Sequence, residues 1–213
     1  MDAQSTARFT DGLAMMNLAL SSNQINQLGL YIDLLEKWNT AYNLTALKST
    51  PQMVSHHLLD SLSLTPFVPR STKTVLDVGS GGGMPGIPLA IHRPDLSVTL
   101  IDSNSKKTAF LQQAVIELGL NNVEVITDRV ENIKEIQYDT IVSRAFAELC
   151  DFVRLTEHLL TPNGVWLAMK GVYPYEEVDR LPENIAVEKV EEISVPFIDG
   201  SRHIVVLSTK KGA

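Results

Sequence analysis

A glycine-rich turn that directly follows a short apolar run constrains the fold of this chain more than any other feature. Residues 74–78 are typical of a buried strand, and five of the eight residues from Gly79 to Gly86 are glycine. Glycine lacks a Cβ, so the backbone of such a turn can approach a ligand closely. A plain turn needs one or two glycines, and ordering five costs more conformational entropy. The pattern therefore favours a binding loop at the end of a buried strand.

Apolar and amphipathic segments alternate after residue 71, which is typical of a doubly wound parallel sheet. Seven runs are predicted to form strands, at residues 74–78, 97–101, 123–126, 139–142, 165–169, 187–195 and 203–209. The last two runs lack a connection long enough for a crossover helix, so we expect a hairpin that adds one reversed strand. The predicted fold is α/β, with a seven-stranded, mostly parallel, Rossmann-like sheet and helices on both faces.

The residues before the sheet have a helical pattern. Ser21 and Gln24 form a possible capping box, and apolar residues then recur at helical spacing as far as Trp38. The pattern breaks at residues 39–45 and restarts at Pro51, a favoured first residue of a helix. We predict an N-terminal helical cap over residues 1–70 and a ligand-binding domain over residues 71–213.

Two classes of ligand could occupy the glycine-rich turn. A dinucleotide site requires Gly-x-Gly-x-x-Gly, and the frame that satisfies it, residues 81–86, lies late after the strand and contains Pro85. Proline lacks the N–H group that a pyrophosphate would accept from. The pattern Asp-x-Gly-x-Gly-x-Gly, which begins at Asp77, fits better. It is typical of class I methyltransferases that use S-adenosylmethionine, so this cofactor is the favoured ligand.

Strand ends supply the remaining cofactor contacts in this interpretation. Asp77 would serve the amino-acid end of the cofactor, and Gly79 would admit its methionine portion. Asp102 ends the second strand, where a carboxylate can accept both ribose hydroxyls. Val130 and Glu131 follow the third strand and could read the adenine edge through their backbone amides.

Two cationic residues end later strands. Arg144 follows the fourth strand, where it either contacts a ligand or pairs with a buried carboxylate. Lys170 ends the fifth strand, where it either faces the substrate or has no ligand role. Both alternatives stay open for each residue at this point.

Several longer stretches resemble the bacterial RsmG (GidB) family of small-subunit rRNA guanine-N7 methyltransferases. They are Lys37-Trp38-Asn39 with Tyr42-Asn43-Leu44-Thr45, His57-x-x-Asp60-Ser61-Leu62, Asp77-Val78-Gly79 through Pro85-Gly86-Ile87-Pro88, Ser143-Arg144-Ala145-Phe146-Ala147, Met169-Lys170-Gly171 and Gly200-x-Arg202-His203. The resemblance covers the chain from about Leu28 to Ser208. Its Pro-Gly-Ile-Pro and Trp-Asn…Asn-Leu-Thr boxes are far more specific than the glycine turn alone.

The resemblance implies transfer of a methyl group from S-adenosyl-L-methionine to N7 of a guanine in 16S rRNA. It places cofactor contacts on Gly79, Met84, Val130, Glu131 and Arg144, to which the strand-end argument adds Asp102. We expect substrate contacts at Arg144, Lys170 and Arg202. No catalytic base is expected, because N7 carries a lone pair and no proton; catalysis would be alignment in a dry pocket.

The expected partner is therefore 16S rRNA or a small-subunit particle. N7 lies on the major-groove edge, which side chains cannot reach in A-form RNA, so the target guanine should be in a loop or splayed out. Three other functions are consistent with parts of the sequence. They are a methyltransferase acting on a small molecule or protein, an NAD-binding oxidoreductase, and a non-catalytic cofactor-sensing or assembly factor.

Charge restricts how RNA could bind. The chain has 18 Lys and Arg against 25 Asp and Glu, a net charge of −7, which speaks against a broad basic groove. Residues 1–73 are neutral, however, and acid is densest at residues 176–192. We therefore expect local, shape-dependent binding with a shallow dependence on salt.

The rest of the sequence indicates a cytoplasmic protein with no membrane segment, and we expect a monomer. The single cysteine, Cys150, is expected to be a buried structural residue in a reducing compartment. The five histidines lack the spacing of metal ligands, so we expect no metal. His57 and Asp60 share a helical face, where they either bond each other or contact RNA.

Overall fold

The computed structural model describes residues 1–210 and contains one seven-stranded sheet. Its strands are β1 Thr74–Val78, β2 Ser97–Asp102, β3 Val123–Thr127, β4 Tyr138–Arg144, β5 Leu160–Lys170, β6 Ile185–Ile193 and β7 Arg202–Thr209. They lie in the order β3-β2-β1-β4-β5-β7-β6. Strand β7 is antiparallel to both β5 and β6, and the other neighbours are parallel. The predicted seven-stranded, mostly parallel sheet with one reversed strand is confirmed.

Helices precede the sheet and cover both of its faces. They are α1 Ala3–Met15, α2 Ser22–Tyr42, α3 Thr50–Met53, α4 Asp60–Leu62, α5 Gly86–His92, α6 Ser105–Leu118, α7 Leu149–Thr156 and α8 Tyr175–Asp179. Helix α7 ends at Thr156, and strand β5 begins at Leu160, earlier than the predicted start at residue 165. Within the described range, no helix combines the length and the apolar character needed to cross a membrane.

Helix α2 begins as the sequence predicts and ends later. The capping box is present, since the Ser21 side chain accepts from the backbone of Gln24 and the Gln24 side chain accepts from the backbone of Ser21. The helix continues to Tyr42 because Asn43, in the left-handed conformation, closes its last turn with a bond to the Asn39 carbonyl. The predicted break at residue 39 is therefore wrong by about one turn.

A π-helical segment joins α3 to α4, where the sequence pattern predicted an uninterrupted α-helix. It covers Val54–Leu59 and carries both His56 and His57. Side-chain periodicity alone does not reveal the wider turn, because the apolar face continues through it. Segments of this kind are frequent at functional sites, and this one borders the site described below.

Each face of the sheet has its own apolar core. Alternating residues of β1 supply them, with Val75 in one core and Leu76 in the other. The first core also contains residues of α1, α2, α5 and α6, and the second contains residues of α7. The cap therefore packs on the same core as the sheet, as in the contact between the Trp38 and Phe110 rings at 5.8 Å. A boundary at residue 70 stays a prediction.

This architecture brings the candidate residues to one edge. Strands β1 to β5 are parallel, so their carboxyl ends meet on the same side of the sheet. Strand β1 lies between β2 and β4, and the order of strands reverses there. Ligands bind in the crevice at such a switch point in open α/β sheets.

Candidate active site

The turn after β1 is held in a conformation that favours glycine. Gly79, Gly81 and Gly83 all have positive φ, at 68°, 58° and 92°. The Gly79 N–H donates to the Ile101 carbonyl at 2.9 Å, which fastens the turn to β2. A Cβ on Gly79 would lie 2.6 Å from Cδ2 of Phe146, so the close approach also excludes a side chain.

The helical cap braces this turn from the other side. The hydroxyl of Tyr31, a fully buried residue of α2, donates to the Gly82 carbonyl. A Cβ on Gly82 would approach Leu35 of the same helix and Met84 of the turn. The cap thus fixes the shape of the glycine turn, in addition to covering the core.

Asp77 lies at the base of the turn with one oxygen unused. The carboxylate is fully buried, and its Oδ2 accepts from the Gly86 N–H at 3.0 Å. Its Oδ1 is buried and has no hydrogen-bond partner in the described part of the chain. Burial raises the pKa of Asp77 to about 7, against the lowering effects of the Gly86 bond and the Arg144 charge. An orphaned buried acceptor is costly, so it indicates a place for a donor from a ligand.

Asp102 is held at the end of β2 by backbone donors. Its Oδ2 accepts from the Gly81 N–H at 3.0 Å, and its Oδ1 accepts from the Asn104 N–H at 2.9 Å. The Lys107 ammonium lies 3.6 Å from Oδ2. A carboxylate has about four acceptor positions, so this one retains capacity for a ligand hydroxyl.

A cavity of about 320 Å³ opens between the ends of β1, β2, β3 and β4. We call it the first cavity. Four of the predicted cofactor contacts line it, Gly79, Asp102, Val130 and Glu131. Lys107 lines it as well, and so does Phe146, which the sequence analysis quoted within a motif but gave no cofactor role. The lining fits S-adenosylmethionine, because the Asp102 carboxylate can accept from ribose hydroxyls, Gly79 leaves room beside it, and Val130 and Phe146 offer apolar walls to a planar base.

Three predicted cofactor contacts do not line the first cavity: Asp77, which is fully buried, Met84 and Arg144. Met84 and Arg144 contact each other, with an Arg144 Nη2 to Met84 Sδ distance of 3.2 Å. Arg144 also donates to Asp60 Oδ2 at 3.1 Å and to the His56 carbonyl at 2.8 Å. Of the two alternatives for Arg144, pairing with a carboxylate is therefore present in the structure. Its contact with a cofactor stays a prediction.

Asp60 joins three distant parts of the chain. The carboxylate, 5% exposed, accepts from Arg144 on β4 and, at 3.2 Å, from Arg202 Nε on β7. His57 is not bonded to Asp60 among the described contacts: its Nε2 pairs with the Thr45 hydroxyl at 2.7 Å, and its Nδ1 lies 3.4 Å from Arg144 Nη2. Burial, aided by the Arg144 charge, lowers the pKa of His57 to about 4, so the imidazole is neutral near pH 7.

A second cavity of about 410 Å³ adjoins this cluster. Its polar lining consists of His56, Asp60, Arg144, Lys170, Arg202 and His203. All three predicted substrate contacts, Arg144, Lys170 and Arg202, are therefore brought together. Ala145 lines both cavities and has a φ of 57°, a conformation that a non-glycine residue adopts at a cost of about 1–3 kcal/mol.

Lys170 is bound on the protein side. Its ammonium donates to Glu177 Oε2 at 2.7 Å and to the Ala147 carbonyl at 3.1 Å. The same Glu177 oxygen accepts from the Leu149 N–H at the start of α7. This bridge fixes the loop that runs from Ala145 to Leu149 between the cavities. Whether Lys170 also reaches the substrate stays a prediction.

Asp60 and Glu177 are the residues that sequence reasoning missed as site organisers. The His57-x-x-Asp60 motif drew attention to Asp60, but its partner Arg202 lies 142 residues away, and no spacing rule connects them. Among the residues that the structure describes, no group of three His, Cys, Asp or Glu side chains could hold a metal ion. The expectation of no metal stays a prediction.

Comparisons with known families and proteins find similarity over nearly the whole chain. Residues 24–205 match the family model GidB, described as rRNA small subunit methyltransferase G. A protein of Neisseria meningitidis serogroup B named "Ribosomal RNA small subunit methyltransferase G" is 56% identical over 203 residues, which are 95% of this chain and 98% of the relative.

Solved structures show the same fold at low identity. An S-adenosylmethionine-dependent methyltransferase from Aquifex aeolicus superposes with a TM-score of 0.59 at 22% identity, covering 81% of this chain and 97% of that one. The plantazolicin methyltransferase BpumL, solved in complex with SAH, gives a TM-score of 0.58 at 14% identity over 87% of this chain and 97% of its own. At these identities the likeness establishes the class I methyltransferase fold and nothing finer.

Proposed function

Because the chain belongs to the GidB family, rRNA small subunit methyltransferase G, we propose that it transfers a methyl group from S-adenosyl-L-methionine to N7 of a guanine in 16S rRNA. The observation that carries the proposal is the pair of cavities that meet at Ala145. One has carboxylates and Gly79 suited to the cofactor, and the other has cations suited to a nucleotide. The partner is 16S rRNA or a small-subunit particle.

The first cavity is proposed to hold the cofactor. Asp102 would accept from the ribose, the backbone at Val130 and Glu131 would border the adenine, and Gly79 would leave room for the methionine portion. Asp77 offers its unpartnered Oδ1 to the ammonium group, directly or through water. When bound, S-adenosylmethionine supplies an electrophilic methyl carbon on a positively charged sulfur.

The second cavity is proposed to receive the target nucleotide. The guanidinium groups of Arg144 and Arg202 suit a phosphate, since planar bidentate donors match phosphate oxygens. They should not bond N7 itself, because a bond there would occupy the lone pair that attacks the methyl carbon. Asp60 limits the net positive charge of the cavity, which helps because N7-methylguanine is itself cationic.

The residues of this chain act by alignment and need not move a proton. N7 carries no hydrogen, so no general base is required. His57 would be a poor proton acceptor, because its pKa is lowered to about 4 and its Nε2 is already paired with the Thr45 hydroxyl. Holding two reactants in line within a dry site is by itself worth several orders of magnitude in rate. The fixed loop between Ala145 and Leu149, braced by Lys170 and Glu177, would set that alignment.

The test is to map N7-methylguanine in 16S rRNA from a strain in which the gene is deleted. We expect one N7-methylated guanine to disappear on deletion and to return with the wild-type gene but not with a Gly79→Asp variant. An unchanged pattern of N7 methylation after deletion would contradict the proposal and favour a small-molecule or protein substrate. Calorimetry adds an independent check, with S-adenosylmethionine binding to the wild type and not to the variant.

A further inference from the structure

Three aromatic rings form a row that leads from solvent to the second cavity. The rings of Tyr173 and Tyr175 lie 4.1 Å apart between centroids, at an interplanar angle of 32°. Tyr173 in turn meets the ring of His203 edge-on at 5.5 Å. Exposure falls along the row, from 70% at Tyr175 through 38% at Tyr173 to 6% at His203, which lines the cavity.

The outer end of this row is unusual because a large aromatic surface is left in water. Tyrosine is a residue that interfaces favour, since its rigid ring offers contact area at a small entropic cost. Tyr173 lies between β5 and α8, and Tyr175 is the first residue of α8; Lys170 at the end of β5 is bound to Glu177 in α8. The segment between these last two residues is therefore held at both ends, which presents the rings in a fixed place.

The charges around the rings favour contact with the face of a base over contact with a phosphate. Glu176 and Asp179 follow the tyrosines in α8, and α8 itself contains no Lys or Arg. These carboxylates would repel a phosphate backbone that crossed the outer end of the row. The cations Arg144 and Arg202 lie at the inner end, in the second cavity. A strand with phosphates directed inward and a base directed outward would satisfy both ends.

We propose that Tyr173 and Tyr175 form a stacking platform for a base of single-stranded rRNA that neighbours the target guanine. The inference rests on the proposed function and adds to it how the RNA next to the target is held. A guanine whose N7 is accessible lies in a loop, a bulge or a chain end, and in a loop its unpaired neighbours need a surface on which to stack. Aromatic side chains bind unpaired bases in this way with little dependence on sequence.

The test compares methyl transfer to small-subunit particles isolated from a deletion strain. The variants are the double substitution Tyr173→Ala/Tyr175→Ala and its counterpart Tyr173→Phe/Tyr175→Phe, which keeps the rings and removes the hydroxyls. Ile116→Ala is the matched control, because Ile116 is 73% exposed on α6, away from both cavities. We expect the double alanine variant to raise KM for particles about tenfold or more, with kcat and cofactor affinity unchanged. The phenylalanine variant and the control should behave as the wild type.

Photocrosslinking decides which class of partner meets the platform. With p-benzoylphenylalanine in place of Tyr175, transfer of the crosslink to 16S rRNA supports the proposal. A crosslink to a ribosomal protein, or to nothing, overturns it, as does an unchanged KM in the double alanine variant. A raised KM in the phenylalanine variant also overturns it, because it would assign the effect to hydroxyl contacts. If the wild type itself fails to methylate the particles, the proposed function fails before the platform is tested.

Discussion

The two cavities differ in how the chain builds them. The first is made from neighbouring strand ends of β1 to β4, and backbone N–H groups hold its Asp102 carboxylate in place. The second joins five separate segments, and its cations are held by the carboxylates of Asp60 and Glu177. The proposed cofactor site is thus built mainly by local backbone geometry. The proposed nucleotide site is built mainly by side-chain pairs, in which one family can differ from another that shares its fold.

The difference predicts that damage to one cavity should spare the ligand of the other. Ala145 is the shared wall, so the separation should be sharp for side chains that line only one side. The following variants test that separation, from the largest expected effect to the smallest.

Gly79→Asp should have the largest effect and should act on the first cavity. The new Cβ would lie 2.6 Å from Phe146, and a carboxylate would enter the space of the cofactor, so we expect S-adenosylmethionine affinity to fall by about 100-fold or more. Calorimetry measures this directly. Gly171→Ala is the matched control, since a Cβ there meets no atom within 4 Å, and its cofactor affinity should equal that of the wild type. Equal loss in both variants would contradict the assignment of the first cavity.

Asp60→Asn should act on the second cavity. It leaves two partly buried guanidinium groups without their carboxylate, so we expect a loss of about 1–3 kcal/mol in unfolding free energy and roughly tenfold or more in kcat/KM for particles. Cofactor affinity should change by less than about threefold. Urea unfolding, kinetics and calorimetry measure the three quantities.

Asp95→Asn is the comparison for this variant. It breaks the Arg93–Asp95 pair, whose carboxylate is 51% exposed, and should cost less than about 1 kcal/mol with no effect on turnover. A large loss of cofactor affinity in Asp60→Asn would show that the two cavities are not separable.

Asp77→Asn should change the pH dependence of stability in the cofactor-free protein. Burial raises the pKa of Asp77 from 3.8 to about 7, so the native state holds the proton more tightly than the unfolded chain does. The stability that this proton provides is complete below about pH 4 and falls as pH rises towards 7, by at most about 1.4 kcal/mol per pH unit. The asparagine variant should lack this decline.

Thermal unfolding of both proteins between pH 5 and pH 8 measures the difference. His57 contributes equally to both proteins, so its effect cancels in the comparison. Its lowered pKa makes stability rise with pH between about pH 4 and its ordinary value of 6.5. Saturating S-adenosylmethionine should flatten the wild-type decline, because an ammonium group beside Asp77 favours the carboxylate. Identical pH profiles of thermal unfolding for the two proteins would show that Asp77 does not cause the decline.

Lys170→Met and Glu177→Gln should have the smallest effects, and the effects should be similar. Each breaks the same bridge to the loop between the cavities, so we expect a decrease of about three- to tenfold in kcat/KM for each. The double variant should be little worse than either single one. A much larger loss in Lys170→Met would instead show that the ammonium contacts the RNA itself.

The first cavity could be predicted from sequence because its determinants are local. Gly79, Asp102, Val130 and Glu131 each follow an apolar run that ends at the same edge of the sheet, and parallel pairing brings those ends together. The positive φ of the glycines follows from the same pattern, since other residues adopt it at a cost.

The second cavity could be predicted only as a set of cations. Sequence placed Arg144 and Lys170 at strand ends but gave no sign of their partners, because Asp60 lies 84 residues from Arg144 and no spacing rule links Lys170 to Glu177. The π-helical turn at residues 54–59, which sets where the His56 carbonyl meets Arg144, has no signature in the apolar pattern. The cofactor contact that the resemblance implies for Met84 stays a prediction, and the structure adds that its sulfur lies 3.2 Å from Arg144 Nη2.

A crystal structure with S-adenosylhomocysteine bound tests directly whether the first cavity is the cofactor site. We expect density for the ligand in the first cavity, with its ribose at Asp102, its adenine beside Val130 and its sulfur directed towards Ala145 and the second cavity. Density for the ligand in the second cavity, or with its sulfur directed away from Ala145, would contradict the division between a cofactor site and a nucleotide site.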